Sequence, residues 1–143
     1  MSDFRTVNDY LTQIYFYTHY VDQGKISHNT IRVLQLLDKR PRIGIGEVAK
    51  YFEISHNTAS ENIKRLVKKG YIAKEKNFAD ERKVELKLTA SGRKVLRVNT
   101  MLDEDKLRVI FDKMESERQQ KIVDGFRIFS EECEAKFNPT IEE

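Results

Sequence analysis

One cysteine stands among the 143 residues of this chain. Cys133 alone excludes an intramolecular disulfide framework, and its isolation fits a reducing cytoplasm. No run of about 18 apolar residues occurs, so no transmembrane helix is expected. The first residues, MSDFRTVNDY, lack the basic-then-apolar layout of a signal peptide, and none is expected. Low-complexity tracts and long linkers are missing as well. So are the signatures of common enzymes. There is no glycine-rich phosphate loop, nucleophile elbow or paired-carboxylate arrangement, and Cys133 is misplaced for nucleophilic work. An enzyme is therefore not expected. His19, His28 and His56 form no i,i+4 ligand pair, so neither a metal nor another cofactor is expected.

What is present suits a soluble, helix-rich chain, long enough for one domain with a sizeable core. Hydrophobic residues make up 39% and charged residues 34%, and the apolar ones run throughout, which argues against disorder. Net charge is only +3, but residues 1–40 carry +1, residues 41–94 carry +6 and residues 95–143 carry −4. A basic block between less charged flanks is what a phosphate-contacting surface requires.

Periodicity divides the chain into short elements. Residues 3–22 space Phe4, Val7, Leu11, Ile14 and Val21 as a helix, with Tyr10, Tyr15, Phe16, Tyr17 and Tyr20 over the remaining surface. A helix apolar on several faces has more than one thing to bury against. The pentapeptide ISHNT occurs twice, at Ile26–Thr30 and Ile54–Thr58. Its surroundings share only helical periodicity, so it marks two helix starts capped by Ser27 and Ser55, and neither a duplication nor a metal pair. The first capped helix carries Ile31, Leu34 and Leu37 and ends near Arg40-Pro41. A short turn or strand and a short helix follow, with Val48, Ala49 and Phe52 inward. The second capped helix has Ala59, Ile63, Leu66 and Val67 inward and stops at Gly70.

Alternation at Val84, Leu86 and Leu88 predicts a strand, and a weaker pattern from Tyr71 to Lys76 makes it a hairpin. Thr89 precedes one long helix running through Val95, Leu96, Val98, Leu102, Leu107, Ile110, Phe111 and Met114. Ser116 and Gln119 are spaced as a capping box for a last helix, lined by Ile122, Phe126, Phe129, Cys133 and Phe137. The Pro139 tail is expected to fray. This order predicts a mainly α fold with a small β-hairpin wing, a winged helix-turn-helix between terminal helical arms.

Such an arrangement needs one helix to brace the backbone and a second to probe the major groove. Ser55, His56, Asn57, Thr58, Ser60 and Lys64 fall on outer positions of the second. A helix from Ser55 to Lys69 spans roughly 22 Å, enough to enter a groove about 12 Å wide. Lys74, Lys76, Arg82 and Lys83 surround the polar hairpin tip, where an arginine can reach a narrow minor groove. Glu61 is the exception on this face. It either pairs with Arg65 one turn on or accepts from a cytosine amino group, and the surface pair is the expected outcome. A winged-helix module that binds protein without specific DNA recognition is the alternative, but it would be expected to lose these cations.

The stretch IGEVAKYFEISHNTASENIKRLVKKGYIAKEKNFADERKVELKLTASG resembles the DNA-binding core of the MarR family of bacterial transcriptional regulators. The likeness is carried by the helix-turn-helix, Lys69-Gly70, Asp80-Glu81-Arg82 and Leu88-Thr89-Ala90-Ser91-Gly92. It implies one MarR-type domain over 1–143, with a DNA-binding lobe at 27–92 and a dimerisation region at 1–24 plus 93–138. It also implies a symmetric homodimer on a pseudo-palindromic double-stranded operator, acting as a repressor, with a small-molecule effector as a further partner. By position, Arg82 would enter the minor groove with Asp80 holding it in place. Glu61 departs from the family, which often has a basic or small polar residue there. Tyr10, Tyr15, Tyr17 and His19 either line a pocket for an aromatic effector or pack with satisfied polar tips, the expected outcome. Cys133, on an apolar stripe, is expected to pack and not to sense oxidants.

Overall fold

The computed structural model describes residues 3–77, 79–80 and 82–138. The middle residue of the Asp80-Glu81-Arg82 motif and the Pro139 tail expected to fray lie outside the described residues. Among these, seven helices and one antiparallel hairpin follow in order: α1 (Thr6–Thr18), α2 (His28–Lys39), α3 (Ile45–Phe52), α4 (His56–Lys68), β1 (Ile72–Lys76), β2 (Val84–Leu88), α5 (Ala90–Thr100), α6 (Glu104–Asp112) and α7 (Ser116–Phe137). None of the helices is long and apolar enough to cross a membrane. The mainly α fold with a hairpin wing is therefore the one the sequence predicts. Residues up to Asp103 and those from Glu104 on form two compact units.

In the first unit, one hydrophobic core joins α2 to α3, α4, the hairpin and α5. Val33, Leu34, Leu36 and Leu37 are buried against Val48 and Ala49 of α3, Ala59, Ile63 and Leu66 of α4, Ile72, Leu86 and Leu88 of the hairpin and Leu96 of α5. Each fully buried aliphatic side chain contributes about 1.5–3 kcal/mol. Phe52 is half-buried, and Arg32 lies over its ring, 5.1 Å from the centroid.

The repeated pentapeptide folds the same way twice. Ser27 and Ser55 both take extended backbone, with their Oγ atoms accepting from Thr30 N at 3.2 Å and Thr58 N at 3.1 Å. Each Oγ also donates to the threonine Oγ1 at 2.9 Å. This satisfies an amide that the first helical turn leaves without a partner. At the other end of α4, Gly70 has φ +83°, Gly70 N donates to Val67 O, and Tyr71 N donates to Leu66 O, a Schellman stop. The turn after α3 repeats this pattern without glycine. Ile54 N donates to Ala49 O, and Glu53 sits in the left-handed region at φ 55°.

The hairpin pairs Ile72 with Leu88, Lys74 with Leu86 and Lys76 with Val84. Its inward face is buried at the base, but Val84 is exposed, because the strands extend beyond the core toward the tip. The stretch before α3 forms no strand, although Ile43 O accepts from Leu86 N at 2.8 Å. Thr89 locks the base of the wing. Its Oγ1 accepts from Gly92 N and donates to Gly70 O, and its own N–H donates to Tyr71 O.

Three expectations about where helices begin and end need correction. The helix after Thr89 is two helices. Chain at Met101–Asp103 is diverted to pair with the end of α1: His19 and Leu102 form a β-bridge, and Asp103 N donates to Thr18 O at 2.7 Å. Asn99 and Thr100 bond back to the Val95 and Leu96 carbonyls, and such back-bonding weakens a helix near its end. The Ser116–Gln119 capping box does not form. Glu115 holds the cap position, and Gln119 Nε2 donates to Phe111 O at 2.6 Å and Met114 O at 3.1 Å, serving the end of α6. Lastly, α1 stops at Thr18, short of the expected Val21, which is exposed.

The arms are apolar outward. Phe4, Tyr10, Phe16 and Tyr17 of the first unit are exposed. In the second unit, no residue of α6 or α7 is buried, and Phe126, Phe129 and Phe137 lie open. Cys133 is exposed with them, so the expected packing does not occur within this chain.

Candidate nucleic-acid interface

The inward stripe of α4 leaves the opposite face to solvent. Ser55, His56, Asn57, Thr58, Glu61, Lys64, Arg65 and Lys68 are exposed, and Ser60 is half-buried at the boundary. At about 100° per residue, Asn57, Glu61, Lys64, Arg65 and Lys68 form the part farthest from Ala59 and Ile63. No ion pair engages Lys64, Lys68 or Lys69 among the described residues. Arg65 turns to Asn62, its Nη2 donating to Oδ1 at 3.3 Å. The pair expected between Arg65 and Glu61 is not formed, because the amide one residue closer takes the guanidinium.

The wing supplies a second basic surface. Lys74 and Lys76 stand on the same face as Ile72, continuing it toward the tip, while Lys87 lies on the other face and meets Glu75 at 3.5 Å. Arg82 is 94% exposed, and its Nε donates to Asp80 Oδ1 at 3.5 Å. The same carboxylate oxygen accepts from Arg82 N at 3.1 Å, so Asp80 grips backbone and side chain together. Lys83 is exposed beside it.

A residue that the sequence reading passed over organises this loop. Asn77 Oδ1 accepts from Ala79 N at 2.8 Å and Asp80 N at 3.3 Å, while its Nδ2 donates to Glu85 Oε1 at 2.9 Å. Its own N–H donates to Lys83 O at 3.0 Å, closing the tip. An asparagine at the end of a strand, with alanine and aspartate two and three residues on, is the available signal for such a turn. Likewise Glu47 Oε2 accepts from Gly44 N at 2.8 Å and caps α3, an acidic first-turn signal that was legible but unused.

The residues considered for an effector do not share one arrangement. Tyr15 stacks on His19 with ring centroids 4.9 Å apart, and Tyr15 Oη accepts from Gln23 Nε2 at 2.8 Å. Tyr10 and Tyr17 point to solvent. No cluster of three or more His, Cys, Asp or Glu residues is placed to hold a metal among the described residues.

A braced outward-facing helix followed by a basic hairpin defines a winged helix-turn-helix protein. A model of the MarR family matches residues 26–84 of this chain. It is 26% identical over 76 residues to the HTH-type transcriptional regulator SarZ of Staphylococcus haemolyticus, across 53% of this chain. The chain thus spans about half the length of that regulator, 52% of it. Among solved structures, its fold is similar to a transcriptional regulator of Thermotoga maritima, at TM-score 0.62 and 20% identity, covering 95% of this chain and 96% of that one. It is also similar to Streptococcus pneumoniae FabT in complex with DNA, at TM-score 0.53 and 23% identity, covering 93% of this chain and 99% of that one.

Proposed function

We propose that this chain is a cytoplasmic, sequence-specific regulator of transcription that binds a pseudo-palindromic operator as a homodimer and represses the genes behind it. The observation that carries this reading is the outward face of α4, whose Asn57, Lys64 and Lys68 are committed to no partner among the described residues, beside a wing bearing exposed Arg82. Ser55, His56, Asn57, Thr58, Ser60 and Lys64 would meet the major groove, and Lys74, Lys76, Arg82 and Lys83 the adjacent phosphates and minor groove, with Asp80 orienting Arg82. FabT, a protein of similar fold, is in complex with DNA, which supports DNA as the partner. A gel-shift titration against the upstream region of its own gene, at several salt concentrations, tests it. Affinity should fall by about three to five orders of magnitude between 50 and 200 mM salt for six to ten phosphate contacts. Binding that ignores salt, or no binding, favours the protein-interaction alternative.

The dimer is part of the same proposal. Residues 1–24 and 93–138 carry an apolar surface that a single chain leaves in water, and a second copy would cover it. Two lobes held so would place recognition helices about 34 Å apart, one DNA turn. An effector that altered this spacing would release the operator. Sedimentation equilibrium should return twice the chain mass for the natural protein and a monomer for Phe126→Glu/Phe129→Glu. A monomeric natural protein overturns the arm-to-arm interface.

A further inference from the structure

We infer that Glu61 is a base-reading residue that selects cytosine in the operator half-site, and this inference rests on the DNA-binding reading above. Glu61 lies near the middle of α4, opposite the buried stripe of Ala59, Ile63 and Leu66, so a helix laid in the major groove presents it to base edges. It is the lone acidic side chain of that helix, whose outward neighbours are Asn57, Lys64 and Lys68. The partner able to neutralise it one turn on, Arg65, is held by Asn62 Oδ1 at 3.3 Å, and among the described residues no ion pair or hydrogen bond engages the Glu61 carboxylate.

A carboxylate held there has few favourable contacts. It repels phosphates, and it repels the acceptor-only major-groove edge of guanine. The exposed amino hydrogens of the groove satisfy it, and cytosine N4 offers that donor without an acceptor at the same edge position. Glu61 therefore lowers affinity for arbitrary DNA and restores it where cytosine stands. Specificity by penalising wrong partners is a recognised route to discrimination. The lysines around it supply the attraction that lets the helix enter the groove despite the negative charge.

The test is selection from a randomised duplex library with the full-length natural protein, Glu61→Ala and Glu61→Gln, each checked for native helix content. The natural protein should enrich cytosine at one position of each half-site, by about ten-fold over other bases. Glu61→Ala should lose that preference, keep the rest of the operator, and bind random duplex equally or more tightly. Glu61→Gln should move the preference to adenine, whose N6 and N7 suit an amide. An enriched operator that is identical for all three proteins overturns the role of Glu61 and leaves the DNA reading intact. A natural protein that enriches nothing and shows no salt-dependent duplex binding overturns both.

Discussion

Replacing Gly92 with alanine is expected to lower the thermal midpoint by about 10 °C, a loss of about 3 kcal/mol at roughly 3 °C per kcal/mol for a chain of this size. The reason is contact and not backbone freedom. α5 begins hard against the strand entry, and a methyl group on Gly92 would fall on the carbonyl oxygen of Tyr71. That oxygen already accepts from Thr89 N, and Tyr71 N holds the end of α4, so neither backbone can yield without loosening the junction. Overpacking against backbone is more costly than against a side chain, which can rotate away. Gly46→Ala is the control. Nothing lies within 4 Å of its added methyl, and alanine in a helix should leave stability unchanged or raise it by up to about 1 kcal/mol. Circular-dichroism melts of both variants decide the matter, and a midpoint for Gly92→Ala within 2–3 °C (roughly 1 kcal/mol) of the natural protein would refute the crowding.

Loss of the Arg82 side chain is expected to weaken operator binding by about two orders of magnitude, taking roughly 1–3 kcal/mol for each of two wings. The salt slope should fall by about two if each arginine neutralises one phosphate. Stability should not move, since Arg82 projects into solvent and an exposed ion pair of this kind is worth about 0–1 kcal/mol. Asp80→Asn separates aim from charge. It keeps a side-chain oxygen for Arg82 N but weakens the grip on the guanidinium, and should cost less than Arg82→Ala. Equal affinity of Arg82→Ala and the natural protein, in fluorescence-anisotropy titrations, would remove the wing from the interface.

The parts of this fold legible in the sequence are those fixed by neighbours along the chain. Ser27, Ser55 and Gly70 act over a few residues, and each ends or begins a helix where its chemistry predicts. Ala59, Ile63 and Leu66 follow from a 3.6-residue period. The failures are of another kind. The break at Met101–Asp103 depends on the end of α1, more than eighty residues earlier, pairing with that segment, and apolar periodicity runs through it undisturbed. The capping box at Ser116 was a valid local pattern, but Gln119 found the end of the preceding helix instead. Val84 kept its alternation and lost its burial, because it lies beyond the core that covers Leu86 and Leu88. On the candidate interface, placement of Asn57, Lys64 and Arg82 was readable from spacing alone. The choice of Arg65 between Glu61 and Asn62 was not, since both lie within reach and the outcome turns on side-chain geometry.

The bridge between His19 and Leu102 gives α5 a mechanical character. This helix of about 16 Å is fastened at both ends, by Thr89 to the stop of α4 and by Asp103 N to the last turn of α1. It stands as a strut between the helix that begins the chain and the end of α4. A tilt of α1 by a few ångströms would break those hydrogen bonds or carry the far end along. The aromatic first helix and the outward-facing α4 are thus linked through α5 by hydrogen bonds made within one chain.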